Sequence, residues 1–287
     1  MPTGERASEL IRLVEEALAR IGDDRSDDVA PLAVAMRYSL LAGGKRLRPL
    51  LCLAVCEAVG GRVEEALPTA LALELVHTFS LVHDDLPALD DDDLRRGRPT
   101  AHVQFGEDVA ILSGDALLSE AFGLVVRTPG APAERLVAAV DELSRGVGLA
   151  GMIGGQYLDI TGATDLERTS RLKTGALIAA SCACGAIVGG AASGEVASAR
   201  RFGLELGLLF QIVDDILDET GTDAQLGKRA GADVRRGRHT FATELGVEAA
   251  RGRAAIAEAS ARAALTGLAG RTDLLAELVE RVARRDR

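Results

Sequence analysis

A stretch of twenty-one residues without a charged side chain, TGALIAASCACGAIVGGAASG at positions 174–194, is the strongest constraint on how this chain can fold. A helix that is apolar on all sides must be buried, either inside a helical bundle or in a membrane. Five glycines, many alanines and few large aliphatic residues make membrane insertion only weakly favourable. We therefore expect no membrane span, and we predict that this stretch forms the central helix of a large soluble bundle.

The rest of the chain shows helical patterns separated by short breaks. Aromatic residues make up 3% of the sequence and tryptophan is absent, a composition that favours helix over sheet. No stretch alternates as a strand does, and no linker or solenoid repeat divides the chain. The predicted helices cover the first twenty residues, a stretch from Asp27 or Asp28 through MRYSLLAG that Gly43 and Gly44 end, Pro49–Val59, Leu71–Asp85, Phe105–Val126, Pro132–Tyr157, a segment around Ile178, Ala197–Asp218 and two shorter pieces in the C-terminal third. The sequence predicts one all-α domain over residues 1–287.

Charge and cysteine usage narrow the class of protein. The net charge is −10, and no basic stripe with interleaved aromatics is present, so nucleic acid is not an expected partner. The four cysteines have neither zinc-site spacing nor histidines nearby, and we expect them to be buried, reduced thiols; they are Cys52, Cys56, Cys182 and Cys184. The N-terminus lacks the apolar core of a signal peptide. We expect a cytoplasmic protein.

An acidic segment, HDDLPALDDDDLRRGR at residues 83–98, is the first candidate site. Asp84 and Asp90 are six residues apart, about 240° around a helix, so on an unbroken helix they would point in different directions. Pro87 should end the helix near Leu86 and let the loop bring Asp90 back beside Asp84. Paired carboxylates are ligands for Mg²⁺, which shares its oxygen ligands with phosphates. A solvated acidic loop is the alternative.

A second acidic cluster, FQIVDDILD at residues 210–218, lies in an apolar setting. Asp214 and Asp218 are one helical turn apart on the same face, with Asp215 beside them. Carboxylates surrounded by isoleucine and leucine are expected to face a cleft. Either cluster alone is weak evidence for a metal site, whereas two on separate apolar helices strengthen the metal interpretation.

Three segments place cations beside glycine, where the backbone can approach a ligand closely. They are GGKRLRP at 43–49, RLKTG at 171–175 and LGKRAGAD at 226–233. Lysine provides a point charge and arginine a bidentate fork, and both suit phosphate oxygens. The alternative is that these cations stabilise helix ends through the helix dipole.

These segments resemble the trans-isoprenyl (polyprenyl) diphosphate synthases, and most closely the bacterial farnesyl and geranylgeranyl diphosphate synthases. The resemblance runs from GGKRLRP through HTFSLVHDDLPALDDDDLRRGRPTAH, GGQYLDI, KTGALI and FQIVDDILD to LGKRAGAD, in the same order and spacing. It implies a single bundle of long antiparallel helices around a central cavity. The GGKRLRP segment resembles the family's isopentenyl diphosphate site, which class I terpene cyclases lack.

The resemblance also implies residue roles. Those assigned to catalysis are Asp84, Asp85, Asp90, Asp214, Asp215, Asp218, Lys173 and Lys228, of which Asp84, Asp85, Asp90 and Asp214 would bind metal. Those assigned to isopentenyl diphosphate are Lys45, Arg48, His77 and Arg96, and those assigned to the allylic diphosphate are Arg95, Lys173, Thr174, Gln211 and Lys228. Arg238 stands where the family often has a lysine before Tyr-Pro, so this chain departs from the pattern at a third basic contact. The implied cofactor is Mg²⁺, three ions per active site with Mn²⁺ as a possible substitute, and the implied assembly is a homodimer.

The implied reaction is a head-to-tail condensation of isopentenyl diphosphate with an allylic diphosphate such as dimethylallyl or geranyl diphosphate. Phe79 and Ser80 precede Asp84 by five and four residues, about 7.5 Å along a helix for Phe79, where a side chain could close the cavity. An aromatic residue there, with the longer Asp84-to-Asp90 spacing, resembles the bacterial farnesyl diphosphate synthases, and this resemblance implies a C15 product, farnesyl diphosphate. The alternatives are a geranyl or geranylgeranyl diphosphate synthase, a class I terpene cyclase, and a non-catalytic regulatory subunit.

Overall fold

The computed structural model describes residues 4–23, 27–220 and 239–286, and within them the chain is almost entirely helical. The helices are α1 (Glu5–Leu18), α2 (Ala30–Leu40), α3 (Leu47–Ala58), α4 (Val63–Asp84), α5 (Ala101–Phe105), α6 (Glu107–Val126), α7 (Ala133–Val147), α8 (Met152–Ile160), α9 (Leu166–Ser170), α10 (Ala176–Gly189), α11 (Ser193–Thr220), α12 (Phe241–Leu245), α13 (Val247–Leu265) and α14 (Asp273–Ala283). A π-helical turn, Arg171–Gly175, joins α9 to α10, and a 3₁₀ turn, Arg284–Asp286, follows α14. The all-α prediction is confirmed.

The uncharged stretch forms α10, at the centre of the bundle. It packs against α3, α4, α7 and α11. Nearly all of its residues are buried, including Cys182 and Cys184, because their small side chains allow the neighbouring helices to come close. At Gly185, for example, a Cβ would lie 2.2 Å from the carbonyl oxygen of Cys52. All four cysteines are buried and none forms a disulfide, as expected.

Three helical segments are long and apolar enough to cross a membrane by length and composition: Val63–Asp84, Glu107–Val126 and Leu166–Gly189. The first and third are each 67% buried inside the fold. Burial against other helices therefore accounts for their apolar character. The middle segment, α6, is only 33% buried, and Ile111, Leu112 and Val126 on it are exposed.

Two predicted helices differ most from the structure. The helix expected from Leu71 begins earlier, at Val63, and includes Pro68, whose missing N–H leaves the Glu64 carbonyl oxygen without its helical donor. The helix expected over Pro132–Tyr157 is two helices, because Gly148 leaves helical dihedral angles with ψ −152°.

The described residues also form one small β-hairpin. Leu94–Arg95 (β1) pairs antiparallel with Arg98–Pro99 (β2). The two residues between them, Arg96 and Gly97, have φ values of 54° and 73°, as a two-residue hairpin turn requires. This turn fixes the positions of two arginines that the sequence assigns to substrates.

Candidate active site

The chain reverses direction directly after α4, at the first acidic cluster. The helix ends at Asp84, and the Asp90 amide donates a hydrogen bond to the Asp84 carbonyl oxygen at 2.8 Å. The Asp92 amide similarly donates to the carbonyl oxygen of Asp85, at 3.2 Å. The loop therefore brings Asp90 back beside Asp84, which confirms the geometry predicted from Pro87.

Adjacent aspartates at this helix end have different surroundings. Asp85 is 3% exposed, and the Arg95 guanidinium binds its carboxylate with Nε–Oδ1 and Nε–Oδ2 distances of 2.8 and 2.9 Å. Asp84 is half-buried and faces the cavity described below. Burial raises the pKa of Asp84 to about 6, Lys173 opposes that rise and Asp90 adds to it. The structure thus pairs Arg95 with Asp85 and leaves Asp84 oriented toward the cavity.

The hairpin joins this acidic segment to residues 43–48, which are the loop before α3 and the first two residues of that helix and are called the basic loop from here on. Arg96 Nη1 donates a hydrogen bond to the Gly43 carbonyl oxygen. The basic loop presents Lys45 and Arg48, and Lys45 Nζ lies 5.7 Å from the centre of the Phe210 ring. The loop therefore bridges the first acidic segment and the helix that carries the second.

Two predicted ligands of isopentenyl diphosphate, Arg48 and His77, line the same cavity. Burial lowers the pKa of Arg48 to about 10, with Glu74 partly offsetting the effect, so the guanidinium is protonated at neutral pH. Burial, followed by the neighbouring Arg48, Arg96 and Arg95, lowers the pKa of His77 well below its usual value, so the imidazole is neutral there. The buried Nε of Arg48 has no hydrogen-bond partner among the described residues, as expected of a donor placed for an anionic ligand.

A cavity of about 530 Å³, called the central cavity, lies beneath these groups. It is polar at the end formed by α4 and the π turn and otherwise mostly apolar. Its lining residues are Arg48, His77, Phe79, Ser80, Leu81, His83, Asp84, Leu89, Asp115, Leu118, Met152, Ile153, Gln156, Tyr157, Ile160, Lys173 and Thr174. Phe79 stands edge-on to His83, with their ring centres 4.9 Å apart. Both predicted chain-length residues, Phe79 and Ser80, therefore lie in the cavity wall.

The three carboxylates of the second acidic cluster have different surroundings. Asp214 is partly exposed, and Arg285 Nη2 approaches its Oδ1 at 3.4 Å. Asp215 is buried, accepting hydrogen bonds from Gln211 Nε2 at 2.8 Å and from the Phe241 amide at 2.9 Å. Asp218 is also buried.

A chain of hydrogen bonds leads from Asp215 to the cavity wall. Asp215 accepts from Gln211, and Gln211 Oε1 accepts from Thr174 Oγ1 at 2.9 Å. Thr174 in turn lines the central cavity. Asp215 therefore orients Gln211 and Thr174, which the sequence assigned to the allylic diphosphate site.

Lys173 connects the two acidic clusters. It lies on the π turn and lines both the central cavity and a smaller adjoining cavity of about 80 Å³, which Gln211 and Asp215 also line. Its Nζ is 2.5 Å from Asp159 Oδ2. Lys173 therefore lines one cavity with Asp84 of the first acidic cluster and another with Asp215 of the second.

Sequence reasoning assigned no role to three residues near the site. Both polar atoms of the Gln156 amide are buried in the cavity wall and have no hydrogen-bond partner in the described part of the chain, Asp159 pairs with Lys173, and Arg285 pairs with Asp214. Gln156 and Asp159 are three residues apart in GGQYLDI, and this i, i+3 spacing on one helix face was the available signal. Nothing in the sequence near Arg285 indicates its proximity to Asp214. Two predicted ligands, Lys228 and Arg238, lie outside the described residues.

The residues present fit a hard divalent cation that completes its coordination with substrate oxygens. Asp84 lines the central cavity with Asp90 beside it, and Asp214 lies beside Arg285 and acts electrostatically on Lys45, so carboxylate oxygens of the kind that Mg²⁺ prefers are present. Within residues 4–23, 27–220 and 239–286, no three histidine, cysteine, aspartate or glutamate side chains gather closely enough to hold a metal alone. Lys173 acts electrostatically on Asp84, and Arg285 contacts Asp214, so both carboxylates lie beside a positive charge.

An all-helical bundle with carboxylates and cations at the polar end of an apolar cavity defines a class of protein that binds an anionic head group and encloses an apolar chain. The comparisons agree with this class. Residues 29–266 match the family described as polyprenyl synthetase. The chain therefore belongs to the polyprenyl synthetase family and is a prenyltransferase.

Named relatives are similar over most of this chain. It is 49% identical over 261 residues to a geranylgeranyl pyrophosphate synthase of Capsicum annuum, covering 88% of this chain and 71% of the relative. It is 49% identical over 229 residues to the large subunit 1 of a heterodimeric geranylgeranyl pyrophosphate synthase of Arabidopsis thaliana, covering 76% of this chain and 62% of the relative. Both relatives are described as chloroplastic, and this chain spans less than two thirds of the second. A crystal structure of an FPP/GFPP synthase from Zymomonas mobilis is 32% identical with a TM-score of 0.82, covering 97% of this chain and 96% of that one.

Proposed function

We propose that this protein is a short-chain trans-prenyltransferase that joins isopentenyl diphosphate to an allylic diphosphate. One observation carries the proposal: Asp84, Lys173 and Arg48 line one cavity whose remaining walls are mostly apolar. A diphosphate needs the charged end and a prenyl chain needs the apolar walls. A terpene cyclase would not require the second basic site at Lys45 and Arg48, and a regulatory subunit would require neither.

The condensation begins when the allylic substrate loses pyrophosphate and becomes a resonance-stabilised carbocation. The isopentenyl double bond attacks that cation, and a proton then leaves to restore an allylic product. Lys173 and Thr174 hold the allylic diphosphate, with Gln211 and Arg95 completing its surroundings among the described residues. Lys45, Arg48, His77 and Arg96 hold isopentenyl diphosphate. Fixed cations stabilise the charge that develops on pyrophosphate, and apolar walls keep water from the carbocation.

We propose Mg²⁺ as the cofactor, three ions per active site, with Mn²⁺ able to replace it. Asp84, Asp90 and Asp214 would hold it, and Asp85 would support them through its pairing with Arg95. When bound, the metal supplies positive charge that stabilises the leaving pyrophosphate. The orientation of Gln211 and Thr174 by Asp215 needs no metal.

For the product, the alternative of geranylgeranyl diphosphate has better support than the farnesyl diphosphate expected from Phe79. The relatives from Capsicum and Arabidopsis are named geranylgeranyl pyrophosphate synthases. We therefore propose a C20 product. Farnesyl diphosphate remains the second candidate, because Phe79 lies in the cavity wall and the Zymomonas enzyme is described as an FPP/GFPP synthase.

We further propose a homodimer in a reducing compartment, with the cytoplasm as the expected location. Four buried, free thiols support such a compartment. The exposed apolar surface of α6 supports a second copy as the partner.

Purified protein incubated with isopentenyl diphosphate, Mg²⁺ and dimethylallyl, geranyl or farnesyl diphosphate tests these proposals together. Chromatography of the dephosphorylated product should give mainly C20 alcohol, and EDTA should stop its formation. Accumulation of C15 would favour the second candidate. Absence of turnover with every allylic partner would overturn the proposal and favour a regulatory subunit.

A further inference from the structure

Arg46 is the one cation of GGKRLRP that turns into the protein core. Lys45 is exposed on one side of it, and Arg48 lines the central cavity on the other. Arg46 is 2% exposed and ranks among the largest fully buried side chains of the described residues. A buried guanidinium requires partners for its charge and its donors.

Those partners come from three different elements. Arg46 Nε donates to Glu15 Oε1 on α1 at 2.7 Å, and Nη1 donates to Glu74 Oε1 on α4 at 2.6 Å. Nη2 donates to the Leu40 carbonyl oxygen, at the end of α2, at 2.9 Å. One side chain therefore ties the start of α3 to three other helices.

The backbone at Arg46 depends on these contacts. Arg46 has φ 45° and ψ 36°, a left-handed conformation that is rare for a residue with a side chain. Such a conformation persists where surrounding contacts enforce it, and it occurs at functional sites. Here it is the residue immediately before α3, and it separates Lys45 from the helix that carries Arg48. A relaxed Arg46 would therefore change the direction of Lys45 relative to Arg48.

The basic loop is held from its other side by a second contact. Arg96 donates to the Gly43 carbonyl oxygen, and a Cβ on Gly44 would lie 2.9 Å from the Arg96 guanidinium. The loop is thus enclosed between Arg46 beneath and Arg96 above. Glu74 adds a charge effect, since it is 2% exposed and acts electrostatically on both Arg48 and Arg96.

We infer that Arg46, held by Glu15 and Glu74, is a positioning residue that sets Lys45 and Arg48 in the geometry required for isopentenyl diphosphate. Arg46 does not touch the substrate itself. The inference rests on the proposed function, in which these two cations bind that diphosphate. Of the three cations in GGKRLRP, Lys45 and Arg48 are then the ligands, and Arg46 holds them in position.

The main test replaces the buried ion pair with an apolar pair, Arg46→Met together with Glu74→Met. Removing both partners avoids leaving one buried charge unpaired, so the fold should survive, which circular dichroism checks. The KM for isopentenyl diphosphate should rise at least about tenfold, while the KM for the allylic diphosphate stays within about twofold. Calorimetric binding of isopentenyl diphosphate without an allylic partner should weaken by a similar factor.

A milder variant keeps the inference testable if the double variant does not fold. Glu15→Ala removes two of the hydrogen bonds of Arg46 from a partly exposed position, and should raise the same KM about two- to fivefold. Its matched control is Glu16→Ala, the adjacent, exposed residue on α1, which should leave both KM values unchanged. A folded variant with an unchanged isopentenyl KM, or with both KM values raised equally, would overturn the inference. If the wild-type protein neither binds isopentenyl diphosphate nor turns over, the proposed function fails instead.

Discussion

Asp84 and Asp85 are adjacent residues of the same type, yet their surroundings differ. Asp85 is buried and satisfied by Arg95, whereas Asp84 is half-buried beside Lys173 and Asp90. Burial raises the pKa of both carboxyls. A carboxylate kept in a partly desolvated cavity costs folding free energy, and a bound cation recovers that cost. The surroundings of Asp84 therefore favour the binding of a cation at the expense of folding stability.

The first prediction concerns Asp84→Asn in the absence of metal. The pKa of Asp84 in the folded protein, about 6, exceeds its ordinary value of 3.8. The protonated carboxyl therefore makes its full contribution to stability below pH 3.8, and that contribution is lost as the pH rises through about 6. Asn does not ionise, so the variant should be more stable at pH 7.5 by about 1–2 kcal/mol after solvent screening.

Differential scanning fluorimetry with EDTA checks this at two pH values. The melting temperature of Asp84→Asn should exceed that of the wild type by about 2–6 °C at pH 7.5, and the difference should vanish near pH 4. Mg²⁺ with pyrophosphate should stabilise the wild type more than the variant. A variant less stable than the wild type at pH 7.5 would contradict the argument.

The second prediction concerns Phe79, which lies in the cavity wall against His83. Phe79→Ala removes a ring from that wall, and the cavity should then accept a chain longer by one or two prenyl units. Chromatography of the dephosphorylated product should show this lengthening. Ser80→Ala is the control, since it removes only a hydroxyl that bonds to the His77 carbonyl oxygen. An unchanged spectrum for Phe79→Ala would show that other residues close the cavity.

At the scale of the element, the π turn Arg171–Gly175 is the feature that the chemistry depends on. It carries Lys173 and Thr174, and glycines in two neighbouring helices allow it to lie close to them. A Cβ on Gly155 of α8 would be 2.1 Å from the Lys173 amide nitrogen, and one on Gly207 of α11 would be 2.6 Å from the Gly175 Cα. π-helical turns are rare and often occur at functional sites. Close packing on both sides holds this one in place.

The third prediction is that Gly155→Ala displaces Lys173. The added methyl group meets backbone atoms, which cannot move aside as a flexible side chain would, so stability should fall by about 1–3 kcal/mol. The value of kcat should fall at least about tenfold, since Lys173 would no longer face the leaving group. Gly252→Ala on α13 is the control: Gly252 is exposed, no atom of the described residues outside its own helix backbone lies within 4 Å of the added Cβ, and it should stabilise by about 0.5–1 kcal/mol. Thermal unfolding and steady-state kinetics measure both effects, and full activity of Gly155→Ala would contradict the role of the close contact.

At the level of the molecule, α6 carries large apolar side chains that this chain leaves exposed. Ile111 is 43%, Leu112 55% and Val126 59% exposed on this helix. Such side chains are expected to be covered by a partner. The Arabidopsis relative named as one subunit of a heterodimer shows that a member of the family can pair with another chain.

The fourth prediction is that this chain forms a dimer through α6. Light scattering after size exclusion should give about 60 kDa, twice the 29.9 kDa of one chain. Leu112→Glu should shift the protein toward the monomer, because a charge in an apolar interface is costly. Ile256→Glu, at an equally exposed position on α13, should remain dimeric. A wild-type monomer at micromolar concentration would exclude this assembly.

The helical class, the buried α10, the turn after α4 and the two acidic clusters were all predictable from the sequence. Each depends on local rules: the helical period, the break imposed by Pro87 and the need to bury an uncharged stretch. The bounds that differ most, at Val63 and Gly148, lie where a helix continues through a proline and where a glycine leaves helical angles.

Which of several similar residues supports, pairs or faces the cavity follows from the packing of the helices and not from the sequence pattern. Arg46 supports while Lys45 and Arg48 face outward or into the cavity, Asp85 pairs while Asp84 faces the cavity, and Arg285 reaches Asp214 from the far end of the chain. Local rules set the types and spacing of these residues, and in that the sequence was sufficient. Burial and pairing depend on groups that are distant in the chain and meet only when the helices pack, so the assignment of tasks among like residues is a property of the fold.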